Sequence, residues 1–156
     1  MFTCGGPIQT SSRKVRVSRT PVSASFIEML RAQVGNASTD HADLERCARD
    51  WSWSALYAQQ DGRAALPDVV VRPDTDEEVA ATLRAASEHG VPVVPRGGGS
   101  GVMGACVPLR GGVVIDLGGM DRVIEIDEVS LTATVEAGLN GREFERLLNE
   151  LSLIHI

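Results

Sequence analysis

The sequence predicts an α+β chain, a small parallel βαβ lobe followed by the start of a larger antiparallel lobe. Three observations predict it. A β-branched triplet at residues 69–71, a capped amphipathic helix and a second β-rich run at residues 91–94 make a strand, helix, strand unit, normally a right-handed parallel crossover. A glycine-rich loop then leads into another strand rather than a helix. Beyond it, short strands follow one another through turns, the pattern of antiparallel pairing.

Taken in order, Phe26, Ile27, Leu30 and Val34 fall on one side of a short amphipathic helix that Gly35 and Asn36 stop. Residues 38–45 read as a capped helical turn. Residues 46–54 carry Trp51 and Trp53, which either stack on a flat ligand or anchor a loop on the core; the anchor is the expectation. Pro67 and Pro73 bound the first strand. Thr75 and Glu78 make a capping box for the next helix, with Val79, Leu83 and Ala86 as its buried stripe and Gly90 as its stop. After residues 91–94 and the glycine loop come strands at 113–116, 123–126 and 131–136. The last alternates Leu131, Ala133 and Val135 against Thr132, Thr134 and Glu136, and residues 126–131 read as a hairpin connection. Gly138 breaks that strand. Asn140 with Glu143 caps a helix whose Phe144, Leu147 and Leu148 face a core.

The glycine loop is the candidate site. Lacking Cβ atoms, Gly97, Gly98, Gly99 and Gly101 can take positive φ and admit a ligand to the backbone, so that successive N–H groups converge on phosphate oxygens. Arg96 and Ser100 add a cation and a hydroxyl at the rim. A P-loop is excluded, since no Gly-Lys-Ser/Thr ending occurs nearby. Gly99, Gly101 and Gly104 spell G-x-G-x-x-G after a strand, but a Rossmann fingerprint must open a helix, and Pro108, Gly111 and Gly112 follow instead. Composition leaves open a plain wide turn or a phosphate cradle. Its place at the carboxyl end of a strand, where open α/β sheets bind ligands, favours the cradle.

With 156 residues, 43 % of them hydrophobic and 23 % charged, the chain has room for one domain of ordinary size, and no apolar run approaches membrane-spanning length. Residues 1–25 hold Arg13, Lys14, Arg16 and Arg19 and no acid, leaving eleven basic against 21 acidic residues in the rest. An acidic body argues against a nucleic-acid partner. The leader has the composition of a transit peptide, but the body uses arginine without lysine as a high-GC bacterial gene would, so a disordered tail or upstream extension is expected rather than organelle targeting. Residues 151–156 match the translation of a transposon-end adapter and are read as a scar outside the fold, which leaves His155 no role. Cys4, Cys47 and Cys106 are odd in number and lack metal-ligand spacing, so neither a disulfide framework nor a metal site is expected, and a reducing, cytoplasmic compartment is. His41 and His89 read as neither ligands nor bases; His89 ends a helix, where a cation suits the dipole.

The order of Pro67-Asp-Val-Val-Val-Arg-Pro73, the capped helix with Glu77, Glu78 and Val79, Val91-Pro-Val-Val-Pro-Arg-Gly-Gly-Gly-Ser-Gly101, Gly112-Val-Val-Ile-Asp-Leu117, Met120-Asp-Arg-Val123 and Val135-Glu-Ala-Gly138 resembles the first part of the flavin-binding domain of FAD-linked oxidases. This is the vanillyl-alcohol oxidase or PCMH-type superfamily. The resemblance spans residues 49–150, and within it the chain looks most like the D-lactate or 2-hydroxyacid dehydrogenase branch and its relative, alkyldihydroxyacetonephosphate synthase.

The resemblance implies that Arg96, Gly97, Gly98, Gly99, Ser100 and Gly101 wrap the FAD pyrophosphate through backbone amides, with Gly104 and the strand at Val113 continuing the wall. It places the flavin between two lobes, one over residues 67–117 and one beginning near Val123. Some relatives attach flavin through a histidine in this loop; residues 96–104 contain none, so FAD is expected to bind noncovalently. The expected organisation is a leader at 1–25, a helical segment at 26–66, an incomplete FAD-binding PCMH-type domain at 67–150 and the scar at 151–156. Catalytic residues would lie beyond the last residue, and none is assigned. Three functions are carried forward: the N-terminal part of an FAD-dependent oxidoreductase acting on a small 2-hydroxy acid such as D-lactate, with the parent protein peripheral to a membrane if associated with one; part of the nonredox alkyl-ether synthase; and a noncatalytic nucleotide-binding module.

Overall fold

The computed structural model describes residues 18, 19 and 22–151, so the leader reading lies largely outside the described residues, as does the scar reading beyond Leu151. The elements in order are α1 (Ala24–Gln33), β1 (Ala37–Ser38), α2 (His41–Cys47), α3 (Trp53–Gln60), β2 (Val69–Val71), α4 (Asp76–Glu88), β3 (Val93–Arg96), β4 (Val113–Asp116), a 3₁₀ turn at Leu117–Gly119, β5 (Val123–Asp127), β6 (Thr132–Val135) and α5 (Gly141–Glu150).

A four-stranded sheet of order β1-β2-β4-β3 forms the centre. β4 runs parallel to both neighbours, Val114 lying opposite Val70 on one side and Val94 on the other. The two crossover strands, β2 and β3, are therefore parallel, as expected, but not adjacent. β1 pairs antiparallel at the far edge of β2. Alternation sorts the buried side chains by face: Val69, Val71, Val113 and Ile115 pack with Phe26, Leu30 and Val34 and with Ala85 and Ala86 of α4, while Val70 and Val114 pack on Cys47 and Leu44 of α2. Helices on both faces explain why these strands read as unbroken apolar runs. Each fully buried valine contributes roughly 1.5–3 kcal/mol of transfer free energy.

α1 begins at Ser23, whose hydroxyl accepts from the Phe26 amide at 3.2 Å. The capping box of α4 is present in altered form. Thr75 accepts from the Glu78 amide at 3.3 Å, but the Glu78 carboxylate reaches back to the Asp74 amide at 2.7 Å.

Four expectations need correction. The buried stripe of α4 is Thr82, Ala85 and Ala86, whereas Val79 is half-buried and Leu83 exposed. Thr82 passes for apolar because its hydroxyl donates to the Glu78 carbonyl at 2.8 Å, and the small side chains let α4 lie close on the core. The tryptophans do not anchor a loop: Trp51 is 60 % and Trp53 75 % exposed, and Trp53 opens α3, which the sequence did not announce. The alternation runs the other way, with Asp50 and Ser52 buried between outward indoles. Trp53 stacks on Tyr57 one turn later at 5.8 Å, and the Arg49 guanidinium lies 5.6 Å from the Trp51 ring. β3 occupies residues 93–96 rather than 91–94, since the turn after Gly90 uses Val91 to bond the Ala86 carbonyl. Lastly, residues 38–45 contain the end of β1 as well as the helix they were read as.

β5 and β6 form the expected antiparallel hairpin, with an irregularity between Val123 and Glu125. The pairing continues past the strand ends, where the Glu136 amide donates to the Arg122 carbonyl and the Gly138 amide to the Met120 carbonyl, each at 2.9 Å. Most of β6 is exposed, as is Leu131 just before it, so the clean alternation of residues 131–136 does not mark a buried face. Phe144, Leu147 and Leu148 of α5 are half-buried.

Candidate functional site

β2, β3 and β4 end together, placing Arg72, Arg96 and Asp116 side by side where the glycine loop departs. A cleft of ≈ 630 Å³ opens between these strand ends, Gly97 and Gly98, the turn at Gly118 and Gly119, and Gly138 with Asn140. A second, of ≈ 470 Å³, lies between Gly98, Gly99 and the α2–α3 connection, where Arg49 and Trp51 line it. Arg46, Arg96 and Gly98 line both clefts, so the loop forms the shelf between them.

The loop contains no regular element, consistent with a strand-to-strand connection. Among the described residues, the amides of Gly98, Gly99 and Ser100 donate to no other group of the chain. Gly98 is exposed, and a Cβ built on it meets nothing within 4 Å. Gly99 has φ +65°, and a Cβ there would lie 2.2 Å from the Arg96 guanidinium. Of the predicted loop glycines only Gly99 and Gly104 have positive φ; Gly97, Gly98 and Gly101 do not. Ser100 is exposed, as expected of a rim hydroxyl.

Arg96 is not at the rim. It is 9 % exposed, folded beneath Gly99, and donates from Nη1 to the Arg49 carbonyl at 2.6 Å, while its Nε is buried without a partner. Gly104 stands apart from both clefts, its amide engaged by Asp50 at 2.8 Å.

Two groups of residues escaped sequence reasoning. Asp50, 1 % exposed, accepts from the amides of Ser52 at 2.9 Å and Gly104 at 2.8 Å. Burial pushes its carboxyl up, but the Ser52 hydroxyl and these amides outweigh burial and hold it below the usual carboxylate range. Below the strand ends, Asp116 accepts from Arg46 at 2.7 Å and from Arg72 at 3.4 Å, and Arg72 also pairs with Asp43. The Arg72 guanidinium, then the Ser38 hydroxyl, hold the Asp43 carboxyl down; Asp116 holds the Arg46 guanidinium up. Counting formal charges, Arg46, Arg72 and Arg96 face Asp116 and Asp121 in the larger cleft, a net positive lining suited to an anion. Burial pushes the Cys47 thiol up, which keeps it protonated and inert. No group of three or more potential metal ligands converges among the described residues, and no helix there is long and apolar enough to cross a membrane.

The open face at Gly98, the unengaged loop amides and the positive lining fit a phosphate-bearing group. Residues 67–154 match the model of a family described as FAD binding domain. The chain is 37 % identical over 91 residues to the glycolate oxidase subunit GlcD of Bacillus subtilis (strain 168), covering 58 % of this chain and 19 % of that protein. A solved structure of alkyldihydroxyacetonephosphate synthase superposes with a TM-score of 0.75 at 27 % identity, covering 88 % of this chain and 27 % of that one. p-Cresol methylhydroxylase shares the fold, with a TM-score of 0.71 at 24 % identity over 88 % of this chain and 27 % of its own. The chain thus spans under a fifth of the length of the glycolate oxidase subunit and of similar curated FAD-linked oxidoreductases.

Proposed function

The chain belongs to the FAD binding domain family, with the PCMH-type fold, and on that footing we propose that its glycine loop cradles the pyrophosphate of noncovalently bound FAD in an oxidoreductase acting on a small 2-hydroxy acid such as D-lactate. The observation that carries the reading is the run of loop amides without partners in the chain, residues 98–103 with Gly98, Gly99 and Ser100 leading it, on a shelf at the carboxyl ends of parallel strands. Gly97 and Gly98 would form the floor, Gly99 and Ser100 the wall. Arg96 would act from beneath, its charge felt through the backbone. Gly101 and Gly104 would hold the far end of the loop to residues 50–52. Bound FAD would supply the acceptor for a two-electron oxidation, while the chain supplies position and electrostatics. The larger cleft, with Asp116 and Asn140 at its sides, offers both acceptors and donors for the hydroxyl-rich part of a dinucleotide.

The 2-hydroxy acid is favoured by the likeness to a glycolate oxidase subunit. A second reading, part of a flavin-dependent alkyldihydroxyacetonephosphate synthase, is favoured by the structural match at 27 % identity. The odd cysteine count supports a reducing, cytoplasmic setting for either. The test is to purify the protein from its full reading frame and titrate it anaerobically with D- and L-2-hydroxy acids. Bleaching of the flavin absorbance by at least one of them is the expected result. No bleaching, with incorporation of a fatty alcohol into acylated dihydroxyacetone phosphate, would move the assignment to the synthase. A protein that neither carries nor binds flavin would leave only a noncatalytic phosphate-binding module.

A further inference from the structure

We infer that Asp50 is a positioning residue for phosphate binding: its carboxylate, held between the amides of Ser52 and Gly104, fixes the glycine loop in the form that presents Gly98, Gly99 and Ser100 to an anion. The inference rests on the loop being the FAD pyrophosphate cradle, and it extends that cradle to residues preceding the 67–154 span that the family model matches.

The loop from β3 to β4 is rich in glycine, the residue that loses most conformational freedom on ordering. Left to itself it would meet a ligand as an ensemble and lose affinity in being fixed. Three ties to residues 49–51 fix it in advance. The Arg96 guanidinium donates to the Arg49 carbonyl at 2.6 Å, the Trp51 amide donates to the Gly101 carbonyl at 2.8 Å, and the Gly104 amide donates to Asp50 at 2.8 Å. The ties bracket residues 98–100 on both sides and leave their amides unengaged. Two of the three are charge-assisted and buried, through Arg96 at 9 % exposure and Asp50 at 1 %; Arg96 stands before residues 98–100, and Asp50 is the charged group that holds the chain after them, where its loss leaves the part-buried Gly104 amide without its partner.

Asp50 also lines the smaller cleft, which raises the question of acid or base chemistry. Both carboxylate oxygens are taken by backbone amides, and the carboxyl is held below its ordinary range, so it has no proton to give and little basicity to offer.

The test is Asp50→Asn in the protein expressed from its full reading frame. An asparagine keeps the volume but, whichever way its amide is turned, one of the two backbone N–H groups meets an NH₂. FAD affinity should fall at least tenfold, and ADP affinity, which keeps the pyrophosphate and omits the flavin, should fall by the same factor. The phosphorus resonances of bound FAD should move toward their free positions. Leu30→Ala, a core change in α1, serves as the control: it should lower Tm and leave FAD affinity and the phosphorus resonances unchanged. If Asp50→Asn does not fold, Asp50→Ser, whose single oxygen serves Ser52 but not Gly104, takes its place with the same expected result. Wild-type affinity in the Asp50 variant, or an equal loss in Leu30→Ala at matched Tm, overturns the inference. If wild-type protein binds no FAD, the cradle reading itself has failed. If Gly98→Ala weakens FAD binding and the Asp50 variant does not, only the role of Asp50 falls.

Discussion

Neighbouring glycines in the loop carry different burdens, and substitutions separate them. Gly98 has an ordinary φ and open space where a Cβ would go, so Gly98→Ala should leave Tm within about a degree of wild type, as a surface change of under ~0.5 kcal/mol does. The same methyl would stand over the shelf, and we expect at least a tenfold loss of FAD affinity by fluorescence titration. Gly99→Ala is the converse. A left-handed φ costs a non-glycine residue ~1–2 kcal/mol, and the methyl would also displace the buried Arg96 guanidinium, so Tm should drop by several degrees before any ligand is added. An unfolded Gly98→Ala, or an unperturbed Gly99→Ala, would contradict these assignments. The glycine loop was legible in the sequence because glycines announce themselves locally. Arg96 and Asp50 were not, because their partners lie 47 and 54 residues away and no local pattern encodes such a contact. Arginine after a strand reads as a rim cation; only the fold shows it tucked beneath Gly99.

Helices and strands were readable where their own chemistry decides them and misread where tertiary packing does. The α4 cap is local, so Thr75→Ala should cost ~1 kcal/mol, measured by urea denaturation, with no effect on FAD affinity. The buried stripe of the same helix is not local: it follows the surface α4 lies on, and Thr82 enters it by satisfying its hydroxyl on the preceding turn. The α2–α3 connection was misread for a similar reason. Two tryptophans two residues apart are the largest apolar surface in the segment, yet the structure spends the inward positions on Asp50 and Ser52. Trp51→Ala and Trp53→Ala should therefore each cost less than ~1 kcal/mol, against the 3–5 expected of a buried indole. A core-sized loss in either would reinstate the anchor. Among the strands, β3 needed a two-residue shift, and the two-residue β1, which is held only by its pairing with β2, was missed.

For the molecule as a whole, acid should be destabilising in a definite window. Asp43 and Asp50 both have folded-state pKa values below the ordinary 3.8, so their contribution is complete above that value and is lost as pH falls through the depressed ones. Thermal unfolding followed from pH 6 to pH 2 should show Tm falling most steeply below pH 4, and less steeply in Asp43→Asn. The exposed hairpin gives a second whole-molecule expectation. Ile124 in β5 and Val129 and Leu131 in the turn that follows it are all exposed on a two-stranded hairpin, and unpaired apolar edges invite association. These 156 residues alone should therefore associate at micromolar concentration in sedimentation velocity, less so with Ile124→Lys; a well-behaved monomer would refute this.

The parallel sheet also sets an order of events. β2, α4 and β3 are continuous in sequence, yet their strands cannot close on one another, because the place between them belongs to β4, which arrives after a sixteen-residue connection. Until β4 enters, the carboxyl end of β3 has no fixed neighbour, and the amides that follow it share no common direction. The anion shelf therefore comes into being only when β4 joins its neighbours, a long-range step that loop closure makes slow. A cofactor seated there would be absent from the folding transition state. FAD should accordingly slow unfolding in proportion to its binding energy and leave the rate of folding unchanged.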